Sequence, residues 1–154
     1  MADGPDQFDL IVTCAFGLEA VVVRELEKLG YAAQIVSTGR VHFKGDALAL
    51  ARANIWLRTA GRVLLPIAEI PAADFEQLYE GVKAIDWARW IAPTDQFPVN
   101  GRSVRSKLTS VPAVQRATKK AIVEALFEQH DVEQLPETGA RVVVEVSILN
   151  DRAT

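Results

Sequence analysis

The sequence predicts an α+β protein on three observations: short runs in which apolar residues alternate, intervening segments with a period near 3.6, and glycine or asparagine turn signals between them. From Phe8 to Cys14, residues Phe8, Leu10, Val12 and Cys14 share one side of an extended segment. At Gly17 the period changes. Leu18, Val21, Val22, Leu26 and Leu29 fall on one helical face, Glu19, Arg24, Glu27 and Lys28 point away, and Gly30 stops the helix. Two strand-like runs, Ala32 to Val36 and Arg40 to Lys44, join through Ser37-Thr38-Gly39, where glycine takes the positive φ of a tight hairpin. Asp46 is a natural N-cap for a helix through about Leu57, with Leu48, Ala51 and Ile55 facing inward. Val63 to Ile70 returns to strand chemistry, and Pro66, which cannot donate to a ladder, assigns that strand to a sheet edge. The order is β-α-β-β-α-β, the ferredoxin-like arrangement, whose fourth strand is an edge.

A second unit starts at Asp74, so the chain divides into residues 1–72 and 73–154, with the boundary near Pro71 to Asp74. With 154 residues and 49% hydrophobic content, two small fused units are feasible. Asp74 and Gln77 have capping-box spacing, and Phe75, Leu78, Tyr79 and Val82 form an apolar stripe. Trp87 and Trp90 read as buried staples, because only Arg89 accompanies them as a cation. Phe97 to Val99 suggests a short strand, and a helix starts near Ser110 or Val111, tolerates Pro112 in its first turn and runs to about Gln129. From Arg141 to Leu149 the alternation places Val142, Val144, Val146 and Ile148 on one face. Asp151 to Thr154 follow Asn150 as if a turn had been made and a return strand were beginning. The expectation is therefore a piece of a longer protein, with the strand Arg141 to Leu149 lacking its partner on one side.

Charge carries the strongest functional signal. The net charge is −3 and the pI is near 5.4, which argues against binding nucleic acid over the whole surface. Between Gln96 and Val123, however, stand Arg102, Arg105, Lys107, Arg116, Lys119 and Lys120 with no carboxylate. Of the chain's 17 cations, 11 lie elsewhere with all 20 carboxylates, so this stretch is +6 against −9 for the rest. Arg116, Lys119 and Lys120 share one helix face at spacings of three and four, while Val114, Ala117, Ala121 and Leu126 can face the core. Upstream, Arg102, Ser103, Arg105, Ser106 and Lys107 supply cations and hydroxyls beside a helix N-terminus, where unpaired N–H groups favour phosphate. These eight residues are the candidate set for a nucleic-acid phosphate backbone, with an ordinary solvated basic face as the competing reading.

Other chemistries find little support. Cys14 sits alone in an apolar run and reads as core, His42 and His130 lack ligand-like spacing, and a metal site is not expected. Gly101 to Lys107 lacks the second glycine of a Walker A loop, and no G-x-G-x-x-G fingerprint occurs. Carboxylates stand singly on helix faces or caps. No apolar run approaches the ~18 residues needed to cross a bilayer, and the first residues are not a signal peptide; the expected location is the cytoplasm.

Three stretches in order, Cys14-Ala15-Phe16-Gly17-Leu18-Glu19, Gly39 to Asp46 and Trp56 to Leu65, resemble the opening of bacterial THUMP-domain methyltransferases. The similarity continues through Ala84-Ile85-Asp86-Trp87, Phe97-Pro98-Val99, Ser103 to Ser110, Lys119-Lys120-Ala121-Ile122 and Val144-Glu145-Val146, and so covers the chain from Leu10 to Thr154. The resemblance implies a ferredoxin-like lobe fused to a THUMP lobe, α/β with a mixed sheet, followed by a Rossmann-like domain binding S-adenosylmethionine. Many members carry an N6-adenine-specific DNA methylase label, whereas the family's target is guanine N2 of 23S ribosomal RNA. Neither the Gly-rich cofactor loop nor the Asn/Asp-Pro-Pro-Tyr/Phe motif of that third domain is present, so no catalytic or cofactor-binding residue carries over. The implied role is capture of a structured RNA by its backbone, with a covalently linked methyltransferase domain acting on the base. Two other readings compete. An acylphosphatase-like enzyme would need an arginine in the loop after the first strand, and Thr13 to Leu18 has none; a ferredoxin-like regulatory or interaction module would self-associate and bind no RNA.

Overall fold

The computed structural model describes residues 7–154. They form two compact units that divide between Pro66 and Ile67. The first unit runs β1 (Phe8–Cys14), α1 (Glu19–Lys28), β2 (Ala33–Ser37), β3 (Arg40–Gly45), α2 (Ala47–Trp56) and β4 (Ala60–Leu64). Its antiparallel sheet has the order β2-β3-β1-β4, so both strands flanking β1 come from the second half of the unit, as the ferredoxin-like arrangement requires. Leu10, Val12, Val41 and Phe43 point from β1 and β3 onto Val22 and Leu26 of α1, and all six are fully buried.

Local chemistry sets the ends of these elements. Gly30, at φ +91°, lets its N–H reach the Glu27 carbonyl and the Tyr31 N–H reach the Leu26 carbonyl, both at 3.0 Å, which closes α1 in a Schellman motif. Asp46 caps α2 by accepting from the Ala49 N–H at 2.8 Å. The hairpin turn tightens to Thr38 and Gly39, with a bulge between Ile35 and Ser37.

Two sequence expectations need correction here. The periodicity turns Leu48, Ala51 and Ile55 inward, but α2 buries Ala49 and Ala53 and leaves Leu48 56% and Ile55 72% exposed. The cause is Gly45, a buried residue whose missing Cβ makes room for the Ala49 methyl. Small residues on both sides draw the helix close, and close approach decides which face is inside. The fourth strand is the edge as expected but spans Ala60–Leu64, and Pro66 follows it instead of lying within it. Val63 pairs with Val12 and sets that register.

The second unit runs β5 (Ile70–Pro71), α3 (Phe75–Lys83), a 3-10 turn at Trp87–Arg89, β6 (Val99–Val104), α4 (Val111–His130), β7 (Val144–Leu149) and β8 (Arg152–Ala153). Its sheet has the order β5-β8-β7-β6 and is mixed, with β6 parallel to β7 across the α4 connection and the remaining pairs antiparallel. Ile70 and Pro71 pair with β8 and so belong to this sheet. Leu78 and Val82 of α3, Val114, Ala121, Ile122 and Leu126 of α4, and Val146 and Ile148 of β7 make the core with Trp87 and Phe97. Trp87 is a buried staple, its Nε1 donating to the Val82 carbonyl at 2.8 Å, whereas Trp90 is half-buried with Arg89 above its ring. Asp74 caps α3 through the Gln77 N–H, and Gln77 reaches back to Ala73, one residue before the expected partner.

The short strand expected at Phe97 to Val99 becomes a bridge at Gln96 followed by β6 through Val104, so half of the expected cation loop is strand. After Val99 its inward positions, Gly101 and Ser103, are not large apolar residues, which hides the alternation. Asn150 (φ +50°) and Asp151 (φ +60°) form a two-residue turn of the I′ kind. The chain then returns as β8, pairing with Ile148 and Leu149 and through Thr154 with Ser147. The outer side of β7 is thus partnered over its second half, correcting the expectation of a bare edge. Beside Val144–Val146 the described residues place no strand on that side.

Candidate nucleic-acid interface

Strand β6 sorts the first candidates by the side of the sheet they face. Gly101 lies against Val111 and Gln115 of α4, and Ser103 shares that side, its Oγ buried without a hydrogen-bond partner. Ser103 therefore cannot reach a ligand, and its place in the candidate set is corrected. Arg102 is exposed on the opposite face, where its Nε donates to the Ser147 Oγ at 3.0 Å.

After β6 the chain turns at Arg105, which holds φ +50°, into a loop gripped by Asp151. The Asp151 carboxylate accepts from the Ser106 hydroxyl and from the Lys107 N–H, each at 2.8 Å, and the Ser106 Oγ in turn accepts from the Leu108 N–H. Ser106 is thus a half-buried structural pivot, while Arg105 and Lys107 project from the loop exposed. Asp151 is the positioning residue that sequence reasoning missed. It stands 44 and 45 residues from its partners, with no local motif to betray it. The Lys107 N–H and then the Ser106 hydroxyl hold its carboxyl below the ordinary value of 3.8. Because the pKa is depressed, the grip is complete above 3.8 and is lost as pH falls below that value through the lowered pKa. An NMR titration should show the Lys107 amide resonance moving in this acidic window, and Asp151→Ala should abolish the movement.

On α4 the three clustered cations diverge. Lys119 turns toward the segment that precedes β6, where its Nζ lies 3.4 Å from the Phe97 ring centroid, donates to the Phe97 carbonyl at 3.2 Å and pairs with Glu137 at 2.7 Å. Its ammonium is already engaged by these partners, and it is only a third exposed. Arg116 and Lys120 border α3 and are exposed, with the Lys120 Nζ 5.6 Å from the Tyr79 ring centroid. The Tyr79 hydroxyl holds the Glu124 carboxyl below its usual range, helped by Lys120 and Lys83. Ser110 begins α4 without a side-chain cap bond, and Pro112 sits in the first turn. The structure therefore brings Arg105 and Lys107 to the loop before α4 and Arg116 and Lys120 to its α3 side, and sets Arg102 and Lys119 apart from both.

Among the described residues no cluster of His, Cys, Asp or Glu could hold a metal ion. His42 pairs with Asp9 at 2.7 Å, and His130 Nε2 lies 2.8 Å from the Ile91 carbonyl oxygen. Cys14 is half-buried, and burial pushes its thiol up, away from a reactive thiolate. No helix of the described residues is long and apolar enough to cross a membrane.

Residues 9–64 match the family model of the RlmL ferredoxin-like domain, and residues 72–154 match that of the THUMP domain. The chain is 48% identical over 149 residues to "Putative RNA methyltransferase YpsC" of Bacillus subtilis, covering 96% of this chain and 38% of that protein. It is 35% identical to "Ribosomal RNA large subunit methyltransferase K/L" of Stutzerimonas stutzeri, over 79% of this chain and 17% of that protein. The crystal structure of SMU.472, described as a putative methyltransferase complexed with SAH, superposes with a TM-score of 0.90 at 44% identity, covering 97% of this chain and 41% of that one. The chain thus spans well under half the length of these relatives. With the THUMP model matched over residues 72–154 and the RlmL ferredoxin-like model over residues 9–64, the chain belongs to the THUMP-domain family.

Proposed function

We propose that this chain is the RNA-capturing part of an S-adenosylmethionine-dependent RNA methyltransferase acting in the cytoplasm on guanine N2 of 23S ribosomal RNA. The observation that carries the reading is the placement of exposed cations around the start of α4 in the THUMP unit, within a stretch free of carboxylates. Arg105 and Lys107, held in place by Asp151, and Arg116 and Lys120 meet the phosphate backbone, and Arg102 adds a contact from the other sheet face. Phosphate contacts position the RNA and carry little sequence information, so choice of the target base falls to a linked catalytic domain.

S-adenosylmethionine is the group this family implies, and the residues present do not fit it. The groove beside α4 is lined by helix side chains and contains no glycine-rich loop that would bring backbone N–H groups to the cofactor. No step of methyl transfer is therefore assigned to this chain. The purified chain should shift a ribosomal RNA fragment at low salt and progressively less at moderate salt, while calorimetry with S-adenosylmethionine detects no micromolar binding. A chain that shifts no RNA at low salt overturns the capture role, and micromolar cofactor binding overturns the division of labour.

A further inference from the structure

Between α3 and the first half of α4 lies an open groove of about 600 Å3, within the ~300–1,000 Å3 typical of small-ligand sites. Phe75 and Tyr79, one turn apart, form its α3 side. Ala113 and Ala117, one turn apart on α4, leave the space open because their side chains end at Cβ. Phe75 is 41% exposed although Leu78 and Val82 of the same helix are buried, so its ring is not committed to the core. Tyr79 is held from two sides, by its hydroxyl on Glu124 and by Lys120 near its ring.

Charge narrows the class of ligand. Arg116 and Lys120 line the groove from α4, and Arg116 makes no ion pair among the described residues. Glu124, also in the lining, is matched by Tyr79 and by Lys83 and Lys120 at 3.7 and 3.8 Å. Glu76, in the first turn of α3, offers a carboxylate acceptor. An aromatic surface, a cation and an acceptor at one small site answer the three parts of a nucleotide: the face of its base, its phosphate and its N–H edge. A base inside an A-form duplex cannot use such a site, since both of its faces are stacked and the major groove is too narrow for side chains.

We propose that this groove binds one unpaired nucleotide of the RNA, with the base against Phe75 and Tyr79, its N–H edge toward Glu76 and its phosphate on Arg116 and Lys120. The proposal rests on the RNA-capture reading above and names the part of the RNA that Arg105 and Lys107 alone would not distinguish.

The test uses the whole chain with two probes, an eight-nucleotide single-stranded RNA and a blunt duplex of equal length. The single strand should shift the methyl resonances of Ala113 and Ala117, and the duplex should leave them in place. Phe75→Leu, which keeps an apolar side chain but removes the ring, should weaken single-strand binding roughly tenfold or more with an unchanged salt slope, because base–aromatic stacking is lost and phosphate contacts are kept. Arg116→Gln should lower that slope by about 0.7. Amide spectra of both variants that match the parent outside the groove show that the fold is kept. If both RNAs bind equally, Phe75→Leu changes neither and the alanine methyls stay still, the groove proposal fails while RNA capture stands. If neither RNA binds at low salt, both fail together.

Discussion

Changing Arg105, Lys107, Arg116 and Lys120 together to Gln is expected to flatten the dependence of log affinity on log salt by roughly three units, from about 0.7 to 0.9 for each phosphate contact removed. At low salt the affinity for any RNA of sufficient length should fall on the order of a hundredfold, and by similar factors for unrelated sequences. All four side chains are exposed, so the fold should survive, since changes at such positions usually shift stability by about ±0.5 kcal/mol or less. The control is Arg24, Lys28, Arg52 and Arg58 to Gln, four exposed cations of the first unit in a region where carboxylates abound. Equal loss of slope in both variants would mean that net charge alone attracts the RNA and that the surface around α4 has no special part. Lys119→Gln should leave the slope nearly unchanged, because Glu137 and the Phe97 carbonyl already occupy its ammonium.

Phe97→Ala is expected to destabilise the second unit by about 3–5 kcal/mol, the usual cost of removing a fully buried ring that neighbours cannot replace. For a unit of roughly 90 residues, whose whole stability is on the order of 5–13 kcal/mol, that is a large fraction. The loss has two sources. The ring leaves a void in the core cluster to which it belongs, and Lys119 loses the aromatic face beneath its ammonium. Urea unfolding followed by tryptophan fluorescence measures it selectively, because Trp87 is buried in this unit whereas Trp56 of the first unit is already 62% exposed. The midpoint should drop with little change in the denaturant slope. A loss below about 1 kcal/mol would show that Phe97 is not part of a tightly packed core.

Where information is local, the residues disclose their structure. Gly30 ends α1, Asp46 and Asp74 open α2 and α3, and Val142 to Ile148 alternate onto the core, each because a cap, a positive φ or a period acts within a few residues. The order of elements that defines the first sheet follows from such signals, and so does the concentration of cations on the second unit. What fails is the choice of face. A helix with apolar residues on several sides, such as α2, does not announce which side will be buried, and Gly45 on a different element settles it in favour of Ala49 and Ala53. Strand β6 is concealed for a related reason, since two of its three inward positions are a glycine and a serine whose burial comes from the approach of α4.

By itself, then, the sequence determined the two α+β units, their caps and turns, and a stretch of six cations without carboxylates, because each is written in neighbouring residues. Only the tertiary structure decided where those cations point. It paired Lys119 with Glu137, sent Arg102 to the far side of the sheet, and set Phe75 and Tyr79 opposite Arg116 and Lys120. It also placed Asp151, 45 residues along the chain, in command of Ser106. The physical reason is that a side chain's charge and size belong to its residue, whereas its partners belong to packing between elements distant in the chain, where close approach and hydrogen-bond satisfaction are settled jointly and leave no local pattern.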